Sequence, residues 1–193
     1  MGLREDDLLP TAGPAFARRV LAAWTPPTAE QRATRDRMLA FVDAHPRDAH
    51  LRSCEPGHLT ASAILLDASG RKVLLTHHRK LGRWLQLGGH CDGDPDLARV
   101  ALREATEESG IEGLAIDPIP IDVDIHSIPA RKGEPEHLHF DTRFLVRAPE
   151  GARERASDES LELRWFDRRK VEAIETDASV RRLLSIAFDP ARG

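Results

Sequence analysis

The chain has 193 residues, enough for one domain with a sizeable core plus an extension. Charged residues make up 31% of it, yet the formal net charge is only −4, which gives no basis for a nucleic-acid or membrane-surface binder. No apolar run approaches the roughly 18–20 residues that span a bilayer. The start MGLREDDLLP lacks the apolar stretch of a secretory signal, and two cysteines, Cys54 and Cys91, do not make a disulfide framework. A protein of the reducing cytoplasm is the expectation.

Taken in order, Phe16, Val20 and Trp24 recur every four residues and predict an amphipathic helix over 14–24, broken by Thr25-Pro26-Pro27. A second helix is expected over 29–44, with Thr28 as cap, Gln31 as its capping-box partner and Pro46 as the stop. These two helices form an N-terminal extension over 1–50. It packs on the domain, or serves as a substrate lid or as the dimerisation element of a homodimer. The domain proper is expected over 51–193, with strands over 58–66, 72–76 and 84–87. After a long central helix come strands over 119–128, where Ile121, Val123 and Ile125 alternate, and over 138–146 and 161–166. Short helices over 168–174 and 179–188 close the chain. Strands on both sides of a central helix, with mixed connections, fit a mixed α/β sandwich.

The chain is organised around GGHCDGDPDLARVALREATEESGI, from Gly88 to Ile111. Asp94 is the expected cap, Pro95 suits the first helical position and Gly110 supplies the stop. At 100° per residue, Glu104, Glu107 and Glu108 fall within one arc of about 100°. Ala98, Ala101, Leu102 and Ala105 form the adjoining flank, small enough to let the helix sit close to a sheet. Three carboxylates on one arc repel each other by a few tenths of a kcal/mol or more per pair (~0.2–0.5 each). A hard divalent cation resolves that conflict, because Mg²⁺ takes oxygen ligands and is held by carboxylates together with substrate phosphates.

At these residues the stretch resembles the signature of the Nudix hydrolases: Gly, five residues, Glu, seven residues, then Arg-Glu-apolar-x-Glu-Glu-x-Gly-apolar. Gly89 matches the first glycine, and Arg103, Glu104, Ala105, Glu107, Glu108, Gly110 and Ile111 match the second half in register. Pro95 stands where the family has its first Glu, and Asp94 or Asp96 is expected to take over the pairing with Arg103. The resemblance covers roughly residues 56–170, including the Leu-Arg-Trp-Phe stretch that commonly ends such domains. It implies an α/β/α sandwich with a mixed sheet. It also implies a Mg²⁺ or Mn²⁺ ion held by Glu104, Glu107 and Glu108 with the Gly89 carbonyl as a fourth ligand, and hydrolysis of a diphosphate. Arg103 then orients Glu104 or the preceding loop. The general base is not fixed by the signature: Glu107, Glu136, Asp141, Asp158 and Glu159 are the candidates.

Arg79, Lys80 and Arg83 precede Trp84 and read as a basic edge for phosphates with a stacking ring, or equally as a solvated loop beside a core tryptophan. His90 follows the glycine pair and is expected beside the substrate. His137, His139 and Asp141 share one strand face by period two. With His58 and His90 they are candidates for a second metal, Zn²⁺ or Mn²⁺ in preference. Here the chain is similar to isopentenyl-diphosphate isomerase, a Nudix-fold enzyme with metal-binding histidines at the positions of His58 and His90. That family has a Cys before its Gly-His, where Gly88 stands here, and its helix signature is degenerate. His45, His50, His77, His78 and His126 read as surface or loop residues, and Cys91 as a packing residue.

The expectation is thus a metal-dependent hydrolase of a nucleoside-diphosphate-linked or other organic pyrophosphate, its partner a small molecule rather than a nucleic acid or membrane. The alternatives are a nucleotide-binding module of the same fold without turnover, and the isomerase-like enzyme.

Overall fold

The computed structural model describes residues 2–4, 7–8, 13–79, 81–131, 133–155 and 160–189. In chain order the elements are α1 (Ala15–Ala23), α2 (Ala29–Ala44), β1 (Gly57–Leu66), β2 (Lys72–His78), β3 (Arg83–Leu85), β4 (Leu87–His90) and α3 (Leu97–Ser109). They continue with β5 (Ala115–Ile116), β6 (Asp122–Ile128), β7 (His137–Arg147), β8 (Ser160–Asp167), α4 (Arg168–Val171) and α5 (Ala178–Ala187). Among the described residues, no helix is long and apolar enough to cross a membrane.

The strands form one mixed sheet with helices on both faces. β1 is its axis and is buried along its whole length. It runs parallel to β7, from Gly57 opposite Leu138 to Leu66 opposite Arg147. Its other edge is divided: Thr60 to Ala63 pair with β4, while Leu65 and Leu66 pair with β2. The single strand expected over 84–87 therefore breaks at Gln86. Its first part stays on β2 and its second crosses to β1. This divergence opens the sheet between the β2–β3 and β1–β4 pairs.

Alternation along β1 feeds two cores. Leu59, Ala61, Ala63 and Leu65 join a cluster with Leu97, Ala101 and Ala105 of α3 and with Leu21, Met38, Phe41 and Val42 of the first two helices. Ile64 and Leu66 join the other, with Val73, Leu75, Leu145 and Phe166 and with Val180, Leu183 and Leu184 of α5. The N-terminal helices are thus built into the main core, where Phe41 stacks on Phe140 with ring centroids 3.9 Å apart.

Several boundaries move for physical reasons. Ile121 precedes β6 and packs in the α5-side core, whereas Val123 lies in the main one, so the three isoleucine and valine positions do not share a face. Thr28 caps α2 by accepting from the Gln31 N–H at 3.1 Å. The Gln31 amide nitrogen donates instead to buried Asp122 at 2.7 Å, which ties α2 to β6. α4 is one turn only, and β5, two residues long, carries too little pattern to be read in advance.

Candidate active site

The opening in the sheet is a cavity of about 540 Å³. Thr76, His78, Leu85 and Gln86 line one side, the polar face of β1, β4 and β7 forms the floor, and α3 supplies Arg103, Glu104, Glu107 and Glu108.

α3 is held where the carboxylates need it. The cap is Asp96, not Asp94: its side chain accepts from the N–H groups of Ala98 and Arg99, each at 3.2 Å. Proline at position 95 therefore lies just outside the helix. Asp94 turns to Arg99, with two contacts of 2.6 Å, so neither aspartate pairs with Arg103. Arg103 bridges instead, donating from one nitrogen to the His90 carbonyl and to Glu104, both at 2.8 Å. The helix ends at Gly110, in the left-handed region at φ 65°.

The glycine pair is a steric requirement of this packing. A Cβ on Gly89 would collide with the Glu104 carboxylate, and one on Gly88 would lie 2.6 Å from the Ser62 Cα. Gly88, at φ 153°, donates its N–H to Glu108 at 3.2 Å. Glu104 and Glu108 are thus oriented by Arg103 and Gly88, while Glu107 is exposed to the cavity. Three carboxylates beside a glycine backbone make an all-oxygen donor set, which fits a hard divalent cation such as Mg²⁺ or Mn²⁺.

Other expected residues lie elsewhere. His90 lines the cavity; Arg79, Arg83 and Trp84 do not. Trp84 packs edge-on against Phe166 at 4.8 Å, with Arg164 over its ring at 5.3 Å, on the α5-side core. Glu136 is exposed outside the cavity and accepts from Ser127 at 2.7 Å. Asp141 borders the cavity, but its oxygens already accept from Thr60 at 3.1 Å, from Ser62 at 2.8 Å and from Arg143 at 2.9 Å. Lys80, Asp158 and Glu159 fall outside the described residues.

The sheet floor is a polar seam that the sequence reading did not assemble. Arg143, 2% exposed, contacts Asp122 at 3.2 Å, Asp124 at 3.3 Å and Asp141 at 2.9 Å. Arg182 from α5 reaches Asp122 at 3.1 Å and Asp124 at 3.3 Å. Burial disfavours the Asp124 charge, but the hydrogen bond from His126 and the Arg143 charge outweigh it and hold this carboxyl well below its usual range. The signal was present as alternation: Asp122, Asp124 and His126 in one strand, His139, Asp141 and Arg143 in its neighbour. Register pairs these residues one to one. Arg52 and Asp92, paired at 2.7 Å on the cavity wall, were also missed, since they lie in loops far apart in sequence.

Beyond this seam the histidines gather. His58 faces His139 across β1 and β7, and His90 pairs with Thr60 on the other side of β1. Burial, then the neighbouring His90 and His137, pull His58 down to about 4. Burial and the surrounding histidines do the same to His139, to about 2. Both rings are neutral at physiological pH and keep a lone pair. His126, exposed as expected, lies 5.4 Å from the His139 ring; partial desolvation lowers it, but the Asp124 hydrogen bond and charge raise it overall. Cys91 is buried, and burial pushes its thiol far up, consistent with a packing role.

Comparison with known proteins agrees with the architecture. The NUDIX domain family model matches residues 56–185. Among solved structures, an Ap4A hydrolase from C. elegans is 20% identical, with a TM-score of 0.54 over 66% of this chain and 93% of that one. A NUDIX-family hydrolase from Clostridium perfringens is 22% identical, with a TM-score of 0.52 over 67% of this chain and 95% of that one. No curated protein matches the chain significantly. The chain belongs to the Nudix family, a family of pyrophosphohydrolases.

Proposed function

We propose that this protein hydrolyses the diphosphate bond of a nucleoside-diphosphate-linked or related organic pyrophosphate, with Mg²⁺ or Mn²⁺ held by Glu104, Glu107, Glu108 and the Gly89 carbonyl. The observation that carries the reading is the convergence of the three α3 carboxylates on one cavity, two of them pinned by Arg103 and Gly88. The bound ion would neutralise the diphosphate and polarise it towards attack by water. Arg103 fixes Glu104 and, through the His90 carbonyl, the end of β4. Glu107 accepts the proton from the attacking water: it is exposed to the cavity, whereas the oxygens of Asp141 are already engaged. A cavity of about 540 Å³ has the size of sites that hold nucleotide-sized molecules. Arg52, held on its wall by Asp92, and His90, rather than the basic loop before Trp84, are the groups placed to meet phosphate.

The test is phosphate release from nucleoside diphosphate sugars, dinucleoside polyphosphates, nucleoside triphosphates and prenyl diphosphates, each with Mg²⁺ or Mn²⁺. Turnover of one group, reduced about 10²-fold or more in Glu107→Gln and Glu108→Gln, is the expected result. Nucleotide binding without turnover in any group would overturn it in favour of a binding module.

A further inference from the structure

Four histidines from three strands meet at one end of the polar seam. His58 lies at the start of β1, His90 ends β4, and His137 and His139 open β7. One ring nitrogen from each of His58, His90 and His139 lies within 4.8 Å of the other two. Strand register enforces the grouping, because His58 is directly opposite His139 and His90 is opposite Thr60 two residues along.

His58 is the residue that calls for a ligand. It is 4% exposed, and neither of its ring nitrogens has a hydrogen-bond partner among the described residues. A neutral imidazole carries one donor and one acceptor, and buried polar groups are ordinarily satisfied. Leaving both unpaired inside a sheet makes sense when another species occupies the site. His137 adds a second indication. Its Nδ1 faces the Pro135 carbonyl at 2.9 Å, which requires the proton on Nδ1 and leaves the Nε2 lone pair directed at His139 Nε2, 3.3 Å away. Ligating histidines are typically oriented in this way, by donating the other N–H to a carbonyl. A tetrahedral ion with bonds of about 2.0–2.1 Å to nitrogen separates its ligand atoms by about 3.3 Å.

We propose that His58, His90 and His139 form a second metal site, selective for a borderline transition-metal ion of the Zn²⁺ type, with His137 as the adjacent donor. An all-imidazole set discriminates against Mg²⁺, which the α3 carboxylates suit. His90 and His139 also line the cavity that holds Glu104, Glu107 and Glu108, so the ion faces the same enclosed space. The site does not depend on the hydrolase reading, since it is tested by binding.

The experiment uses the full chain stripped by chelation and loaded with Zn²⁺ or Co²⁺ against excess Mg²⁺. Metal content after dialysis and the visible spectrum of the Co²⁺ form are the readouts. The expected result is one ion retained per chain, with the intense Co²⁺ bands of tetrahedral nitrogen coordination. Glu107→Gln and Glu108→Gln should leave both unchanged. His90→Gln and His139→Gln should each weaken retention by about 10-fold or more, as loss of a ligand or its support does. His58→Gln is added with circular dichroism as a folding check; because His90 lies on the cavity wall, its variant carries the test if His58→Gln does not fold. No retained ion in the wild type, or equal retention in the His90 and His139 variants, overturns the proposal.

Discussion

Replacing Arg143 with Met isolates the charge balance of the polar seam. The guanidinium is 2% exposed and shared among Asp122, Asp124 and Asp141, which are 0%, 17% and 2% exposed at their side chains. It also donates to the Ser179 hydroxyl on α5 at 2.7 Å, so it fastens that helix to the sheet. Methionine fills similar volume without the charge. Asp122 would keep Arg182 and Gln31, but Asp141 would keep only Thr60 and Ser62. Breaking a buried ion pair from one side costs about 3–5 kcal/mol, a large part of the roughly 5–15 kcal/mol that holds a domain together. With a urea slope of about 2–3 kcal/mol/M, the unfolding midpoint should fall by about 1–2.5 M. The pH dependence gives a second check. In the wild type the folded pKa of Asp124 is depressed, so its contribution is present above the unfolded value near 3.9 and is lost only as pH falls below it. Without Arg143 the Asp124 carboxyl loses one of the charges that hold it down and moves up, so the deficit of the variant should shrink as the pH falls towards and below that unfolded value. A cost below about 1 kcal/mol at pH 7, or one that does not change with pH, would refute the idea that Arg143 compensates buried charge.

The glycine pair should separate function from stability. Gly89→Ala meets only the side-chain carboxylate of Glu104, so stability should change by less than about 1 kcal/mol while turnover falls at least about 10-fold; the comparison is urea unfolding against phosphate release. Gly88→Ala meets the Ser62 backbone and an unfavourable φ, and should cost about 2–3 kcal/mol or more by the same unfolding assay. Loss of the α3 cap in Asp96→Ala should cost about 1–2 kcal/mol, whereas the same change at Asp94 removes a partly exposed ion pair and one bond from the Asp96 N–H and should cost about half that or less. Burial pushes the Cys54 thiol up to about 11 and Cys91 further, so neither should react with a thiol-specific reagent at pH 8 until the protein is unfolded.

What could be read in the sequence is what depends on short-range pattern. The α3 carboxylates, the small flank of that helix, the glycine pair and most strands follow from periodicities of 3.6 and 2, because one element's geometry determines them. The cap at Asp96 rather than Asp94 needed knowledge of where Asp94 finds its partner, and Arg99 at i+5 competes for it only after the loop has folded. Residues whose roles depend on register were harder. Asp122, Asp124 and Arg143 are unremarkable one strand at a time. Joined in register with β7, and closed over by Arg182 and Gln31, they become a buried network spanning four elements. The histidines occupy the middle ground. Their residue type and period-two spacing singled them out, but the two unpartnered nitrogens of His58 emerge only once β4 and β7 flank β1 and exclude other donors. The same divergence of β4 from β3 at Gln86 brings His90 onto β1 and opens the cavity below the α3 carboxylates. One break in strand pairing therefore positions both clusters of metal-type ligands, hard oxygens on the helix and borderline nitrogens on the sheet, around one volume.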